Sequence, residues 1–470
     1  MGISLNPATL LSGQGIDVAD LVDQILSQNS GQLTEWQGEV SVLQGQASDL
    51  TTINTDLASL TTAANALSDP LGALTAQAAT SSNTSVLNAT AQTSAIAGVH
   101  QIVVGSLATT GTVYTDEVAD PTASFLPTGV TSGEIDLQIG GSSGTIDPIL
   151  ITAGTNDTLN TLASYINGQN LGVTANVVTD ANGSRLALSS QATGSPGALA
   201  ITSNNTNLNF DTPVGGTNAS LTIDGVPYSS ASNTITGALA GVTLNLASAS
   251  PGNPVQVTVG PDVTQATAAI NNFVSAYNQV IGDINQEFAI NPSTNQQGAL
   301  AGDASLRQLQ SSLLTDATFA VTGNGGFVNL ASLGINTNDD GTLTVDASQL
   351  SSSFASNPAA VQNFFQNTAL TGFANNLSSD LTNLTDPTQG VLNVDLAQNE
   401  ATQTDLSTSI SNFQTQLTAE QQALTTEYSE VNASLQAYPL LLQQVTETLG
   451  TLGTNSSGTS SSLPTLTSGL

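Results

Sequence analysis

The 470-residue chain contains no cysteine and no lysine, and Arg185 and Arg307 are its only arginines. Without cysteine there is no disulfide, no thiolate zinc site and no cysteine nucleophile. That composition suits a protein exported into an oxidising exterior. A Walker-type phosphate loop needs a lysine. Nucleic-acid binding draws its affinity from Lys and Arg on phosphates, and anionic membrane surfaces attract the same side chains. Two arginines against thirty-five carboxylates, a formal charge of −33, serve neither purpose, so no nucleic acid is expected as a partner. Membrane insertion is not expected either, because no stretch approaches the roughly 18 consecutive apolar residues of a span. The opening MGISLNPATLLSGQG has no basic n-region and no long apolar run, so export would proceed without a cleaved signal peptide. Asn6 stands where N-myristoylation wants Ser or Thr.

Catalytic chemistry is equally sparse. His100 is the single histidine, it sits at the start of an expected strand, and no nucleophile motif lies near it to complete a triad. Asn336-x-Asn338-x-Asp340-Gly341 matches half of an EF-hand loop, but Ala347 occupies the place of the bidentate glutamate. A plain hairpin turn is the expectation there. Asp303 stands at i−4 from Arg307, which leaves an ion pair or simple exposure as alternatives. Phe273 and Tyr277 read as helix core. The chain is thus expected to be no enzyme, with no catalytic residue, no cofactor and no metal site.

What the sequence does have is apolar periodicity at both ends. Near the C-terminus Ile410, Leu417, Leu424, Val431, Tyr438, Val445 and Leu452 recur every seventh residue, and near the N-terminus Trp36, Leu43, Leu50, Leu57 and Ala64 do the same. Leu21 and Ile25 belong to an earlier apolar face that starts after Asp17, a good N-cap. Such spacing marks helices that pack lengthwise on other helices. Ordering seven residues costs about 7–14 kcal/mol of backbone entropy, whereas a heptad here buries two or three apolar side chains worth roughly 1.5–3 kcal/mol each. Intrahelical ion pairs are almost absent without lysine. Each end is therefore expected to become ordered only against a neighbour, in one shared stalk. The C-terminal seam also drifts, from Leu406 and Phe413 to Tyr428, Leu435, Leu442 and Leu449, as in a straight helix packed in a bundle. Pro439 is expected to kink the last helix, which reads as running from about Asp395 to Leu449.

Between the ends the period changes to two, with short strands punctuated by Gly, Pro and Asn and one helix over 158–167. The expected architecture is α+β: long terminal helices forming a leg, with β-rich head domains inserted between them. Boundaries fall at 1–70 for a disordered start and the first leg helices, 80–130 with 218–262 for a discontinuous β-rich head, and 131–217 for an outer α+β head. Residues 263–452 make the C-terminal leg domain, and 453–470 a disordered tail.

Ordered motifs then carry a resemblance. Gly15–Val22, Ser94–His100 and Gln101–Ala108 open the series, and Leu159–Asn167, Val173–Val177 and Arg185–Ser190 look like a module shared by filament cap proteins and flagellins. Leu221–Gly225, Asn233–Thr236, Gly241–Leu246, Phe273–Ile281, Gly302–Arg307, Leu333–Ile335 and Gly341–Asp346 follow in order. In this series the chain resembles the flagellar hook-associated protein 2 family, the filament cap proteins, over nearly its whole length. The resemblance implies export through the flagellar type III apparatus with a chaperone and self-assembly into a closed ring, a pentamer, at the filament tip. It also implies contact with flagellin and hook–filament junction proteins, retention of exported flagellin, and its insertion at the tip. Some members bind host mucin. The chain departs from the family where its termini carry Gln, Ser and Thr in place of Lys and Arg, which leaves hydrophobic and amide contacts to hold the legs. A glycan- or mucin-binding surface adhesin and a flagellin-like filament or junction subunit are the alternative readings.

Overall fold

The structure, a computed structural model, describes residues 17–454 apart from Thr294, with side chains as far as Gly450. At the N-terminal end Asp17 caps α1 (Val18–Asn29), its carboxylate accepting from the Ala19 and Asp20 amides. Helix α2 (Gly31–Ser68) follows and stops at Asp69, before Pro70, since the residue preceding a proline is driven out of the helical region.

The β-rich part holds two separate cores. The first lies between a five-stranded antiparallel sheet and a three-stranded one. In the larger, the order is β1 (Gln77–Ser81), β14 (Val255–Pro261), β3 (Gly98–Ser106), β10 (Ala219–Ile223), β11 (Val226–Ser230); in the smaller it is β12 (Thr234–Leu239), β13 (Val242–Leu246), β2 (Leu87–Ala91). Ile102, Val104, Leu221 and Val257 from one sheet meet Leu87, Ile235 and Leu244 from the other. The second core is built on β4 (Thr110–Tyr114), β8 (Ser184–Thr193) and β7 (Val173–Thr179), on β6 (Thr145–Thr152), β5 (Ser132–Ile139) and β9 (Leu199–Asn204), and on α3 (Leu159–Gln169).

Core membership moves one expected boundary. Ala108 still belongs to the first core, but Val113, Phe125 and Leu126 are buried in the second, and β4 pairs with β8. The stretch 110–130, expected in the first head, thus joins 131–217. A strand's period tells which face is apolar but not which distant strand it will pair with, and β4 pairs across the chain, Thr110 with Thr193 and Tyr114 with Ala187.

Where the two cores meet, backbone touches backbone. The Thr109 amide donates to Thr217 O and the Gly194 amide to Thr109 O, both at 2.9 Å, and Thr193 Oγ1 donates to Ala231 O at 2.6 Å. Gly194 has φ +73°, a left-handed conformation, and a Cβ on Gly216 would lie 2.3 Å from Gly194 O. Gly216→Ala must push these strands apart, at a cost of about 1–3 kcal/mol. The expected result is a lower melting temperature for the β-rich part with the helical part unchanged, read by hydrogen exchange on strands β4 and β10.

The third core is helical and joins both ends of the chain. Around it lie α2, α4 (Val263–Phe288), α5 (Ala304–Ala317), α6 (Ala347–Ser356), α7 (Pro358–Phe365), α8 (Phe373–Leu384) and the start of α9 (Val391–Thr454). Phe273, Tyr277, Phe364, Phe365 and Phe373 fill its centre, with Phe364 stacked on Phe373 at 5.6 Å between ring centroids. Two minor hairpins decorate this unit, β15 (Ile290–Asn291) with β16 (Gln296–Gln297) and β17 (Ile335–Thr337) with β18 (Leu343–Val345). Asn278 on α4 clamps the second by donating to Leu343 O and accepting from Leu343 N. Its turn is the one expected at Asn338–Gly341, where the Asp340 carboxylate accepts from the Thr342 amide and hydroxyl.

Helix α9 is continuous through Pro439, and at about 1.5 Å per residue its 64 residues reach roughly 95 Å. Pro439 therefore does not end the helix. A proline deletes one backbone hydrogen bond, and the helix is assigned without interruption on both sides of it. No helix among the described residues is long and apolar enough to cross a membrane.

Candidate assembly seam between the terminal helices

Helices α1 and α2 pack on α9, and the side-chain contacts fix an antiparallel register. Asn54 Nδ2 donates to Asn393 Oδ1 at 2.8 Å. Further along, Asn399 Nδ2 donates to Gln46 Oε1 at 3.3 Å and Gln403 Nε2 to Leu43 O at 3.4 Å. Trp36 meets the Phe413 ring edge-on, centroids 5.6 Å apart, and Asn29 Nδ2 donates to Glu420 Oε1 at 3.3 Å. As the first strand of the seam runs back from Asn54 to Asn29, its partner runs forward from Asn393 to Glu420.

Amides do here what ion pairs do elsewhere. Asn399 is buried; it donates to Gln46, accepts from Gln403 Nε2 at 2.6 Å, and Gln46 in turn donates to Ala299 O at 2.9 Å. A buried amide that finds partners in only one register acts against slippage between apolar faces. Asn399→Ala leaves Gln46 Oε1 without its donor and Gln403 Nε2 with only the Leu43 carbonyl. Its expected cost is about 1–3 kcal/mol, measurable by denaturant titration of the helical signal. The exposed faces are covered by hydroxyls that satisfy themselves: Thr51, Thr55, Ser59, Thr404, Thr408, Thr415 and Thr426 each donate to the carbonyl four residues back.

The residues picked out by periodicity divide into three groups. Leu50 and Leu57 are fully enclosed in the helical core. Leu21 is buried, whereas Ile25, Trp36, Leu43, Ile410, Leu417 and Leu424 are half-buried along the seam. Val431, Tyr438 and Val445 are exposed, at 43%, 62% and 51%, and the side chain of Leu452 lies outside the described residues. The change falls where α1 begins. Val18 is the first helical residue among those described, and beyond Tyr428 the apolar line of α9 continues at alternating steps of three and four through Val431, Leu435, Tyr438, Leu442, Val445 and Leu449. Along it Tyr438, Leu442, Val445 and Leu449 are exposed and Leu435 is half-buried. Periodicity did not reveal the amide network, because Gln and Asn are scattered throughout this composition and only the register tells which are buried.

The histidine and the two arginines make structural contacts. His100 Nδ1 lies 2.7 Å from Asp224 Oδ2, and Asp224, in the turn joining β10 to β11, also accepts from the Gln101 amide. These hydrogen bonds, the one from His100 first, hold the Asp224 carboxyl below the usual carboxylate range. Arg185 pairs with Glu117 at 2.6 Å and lies over the Tyr114 ring. Arg307 does not pair with Asp303: its Nη2 donates to Ala301 O at 2.8 Å, while Asp303 is occupied capping α5.

Comparison with known proteins gives this seam a family. The model described as flagellar hook-associated protein 2 N-terminus matches residues 14–111, that of the C-terminus matches residues 216–438, and the flagellin hook IN motif matches residues 136–192. The chain is similar to the B-type flagellar hook-associated protein 2 of Pseudomonas aeruginosa, 31% identical over 411 residues that take in 80% of this chain and 84% of that protein. With flagellar hook-associated protein 2 of Escherichia coli K12 it is 27% identical over 373 residues, 74% and 78% of the two chains. The crystal structure of the flagellar cap protein FliD D1-D2-D3 domains from Escherichia coli superposes with a TM-score of 0.57 at 28% identity, covering 75% of this chain and 99% of that one. The chain therefore belongs to the flagellar hook-associated protein 2 family, whose N- and C-terminal models take in both strands of the seam.

Proposed function

We propose that the chain caps the distal end of the bacterial flagellar filament, where copies of it assemble, retain exported flagellin and promote its insertion. The observation that carries this reading is the interrupted seam. Both ends of the chain are tied into one helical unit, with the β cores strung between them, and α9 then runs on with an apolar stripe that the described part of the chain does not cover. Surface stripes of this length on a helix mark a contact face. In the proposal that face takes neighbouring copies and the helical ends of flagellin, with contacts adjustable enough to shift as each subunit enters, because they are apolar and hydroxyl-lined rather than locked by ion pairs.

The finer parts of the reading belong to the same proposal: a closed pentameric ring, seating over hook–filament junction proteins, export by a type III route with its chaperone, and a structural rather than enzymatic role. Mucin contact by the β cores is the least supported of these. The adhesin and filament-subunit alternatives are not favoured, since the relatives match across both termini and the β cores together. A strain lacking the gene tests the reading: it should shed monomeric flagellin and swim poorly. Filaments of normal length in that strain would refute it.

A further inference from the structure

Arg307 is the only basic side chain of the helical unit, and it is turned to the Ala301 carbonyl and the Phe288 ring. Across two of the unit's helix–helix contacts, carboxylates therefore face carboxylates. Asp56 on α2 meets Asp283 on α4, while Gln279 Nε2 donates to both Asp283 oxygens at 3.2 and 3.3 Å. Asp316, in the last turn of α5, meets Asp380 on α8 in a 390 Å³ cleft lined also by Gln308, Ser312 and Asn383. Asp316 Oδ2 is buried and has no hydrogen-bond donor. Its place at the C-terminal end of a helix adds the negative end of the dipole.

Two carboxyl groups in contact cannot both ionise cheaply, and a proton held between them turns repulsion into a hydrogen bond. We propose that Asp56–Asp283 and Asp316–Asp380 are proton-held clasps, which tighten α2 on α4 and α5 on α8 in mildly acidic surroundings and loosen them on ionisation. The other groups facing them reinforce the effect. Asp49 on α2 and Glu287 on α4 line the groove beside Asp283. On the other side, the Tyr277 phenol on α4 is pushed up by burial and by Asp316. None of these is a cation.

The sign follows from the shifts. Contact with Asp283, then burial, pushes Asp56 up to about 6, and burial, then the Asp380 charge, pushes Asp316 up to about 7. Both lie above the ordinary carboxyl value of 3.8 that holds in the unfolded chain. Folding takes up protons between these limits, so the stabilisation is fully present below about pH 4 and is lost as pH rises through about 6 and then about 7. Ordinary surface carboxylates finish ionising below that window.

The test is thermal unfolding of the full chain, followed by its helical signal, between about pH 5 and about pH 8. The wild type should melt at progressively lower temperature as pH rises. The double variant Asp56→Asn with Asp316→Asn should lose at least about half of that fall, and Asp405→Asn, which removes one exposed charge on α9, should keep it. High salt, which screens exposed repulsion, should leave the fall in place. A flat or rising profile in the wild type, or an unchanged slope in the double variant, overturns the proposal. Should those variants fold poorly, Asp283→Asn with Asp380→Asn tests the opposite partners. An infrared band of protonated carboxyl at about pH 6, present in the wild type and lost in the variants, reads the shared protons independently of stability. Its absence from the wild type would equally contradict the clasps.

Discussion

Leu442→Glu with Val445→Glu is expected to leave the monomer folded and to abolish its assembly. Both side chains are about half exposed in the single chain, 53% and 51%, and surface substitutions of that kind change stability by no more than about 0.5 kcal/mol. In an assembled leg the same positions lie on the one apolar line that α1 does not cover. A carboxylate placed there must be desolvated without a partner, and no lysine exists in any copy to meet it. Anchors at the centre of an interface carry about 2 kcal/mol or more each, so two should weaken association more than about a thousandfold. Electron microscopy of the purified protein should show annular particles for the wild type and none for the variant, with identical circular dichroism. Leu440→Glu is the control: Leu440 is 68% exposed but lies off the stripe, and rings should persist.

Removing residues 1–68 should unfold the helical unit and spare the β cores. Leu50, Ile53, Leu57, Leu60, Ala64 and Leu67 on α2 are at most 2% exposed, packed with Phe273, Phe373 and Leu381. Five Leu and Ile side chains at about 1.5–3 kcal/mol each match the whole stability of an ordinary domain, about 5–15 kcal/mol. Neither β core draws a residue from that stretch. Far-UV circular dichroism should lose helix at α4–α9, while the amides of β3, β8 and β10 keep their protection from exchange. Retention of helical content would mean that the C-terminal helices have a core of their own.

How much of this was legible beforehand depends on the kind of interaction. Trp36 and Ile410 announced the seam because an apolar repeat survives any neighbouring sequence, and Asp17 and the turn at Asn338–Gly341 were readable as local chemistry. Periodicity could not say that Leu50 and Leu57 enter a globular core while Val431 and Val445 stay on the surface. Each of the two heptad lines runs through more than one environment, the first from half-buried Trp36 to enclosed Leu57 and the second from half-buried Ile410 to exposed Val445. The antiparallel register, the amides of Gln46, Asn399 and Gln403, and the facing pairs Asp56–Asp283 and Asp316–Asp380 all depend on residues far apart in the chain, which no local pattern joins. Pro439 does not end α9, because it removes one backbone hydrogen bond and a 64-residue helix absorbs that loss.

The central claim, that the two ends of the chain fold together in one register, can be tested without background because the protein has no cysteine of its own. In a chain carrying Asn29→Cys and Glu420→Cys, whose native side chains are 3.3 Å apart, a short bis-maleimide should join the two sites within one molecule at high yield. The same reagent should fail on Asn29→Cys with Glu427→Cys, one heptad or roughly 10 Å further along α9. Equal cross-linking of both pairs, or links formed only between molecules, would contradict the register and with it the leg.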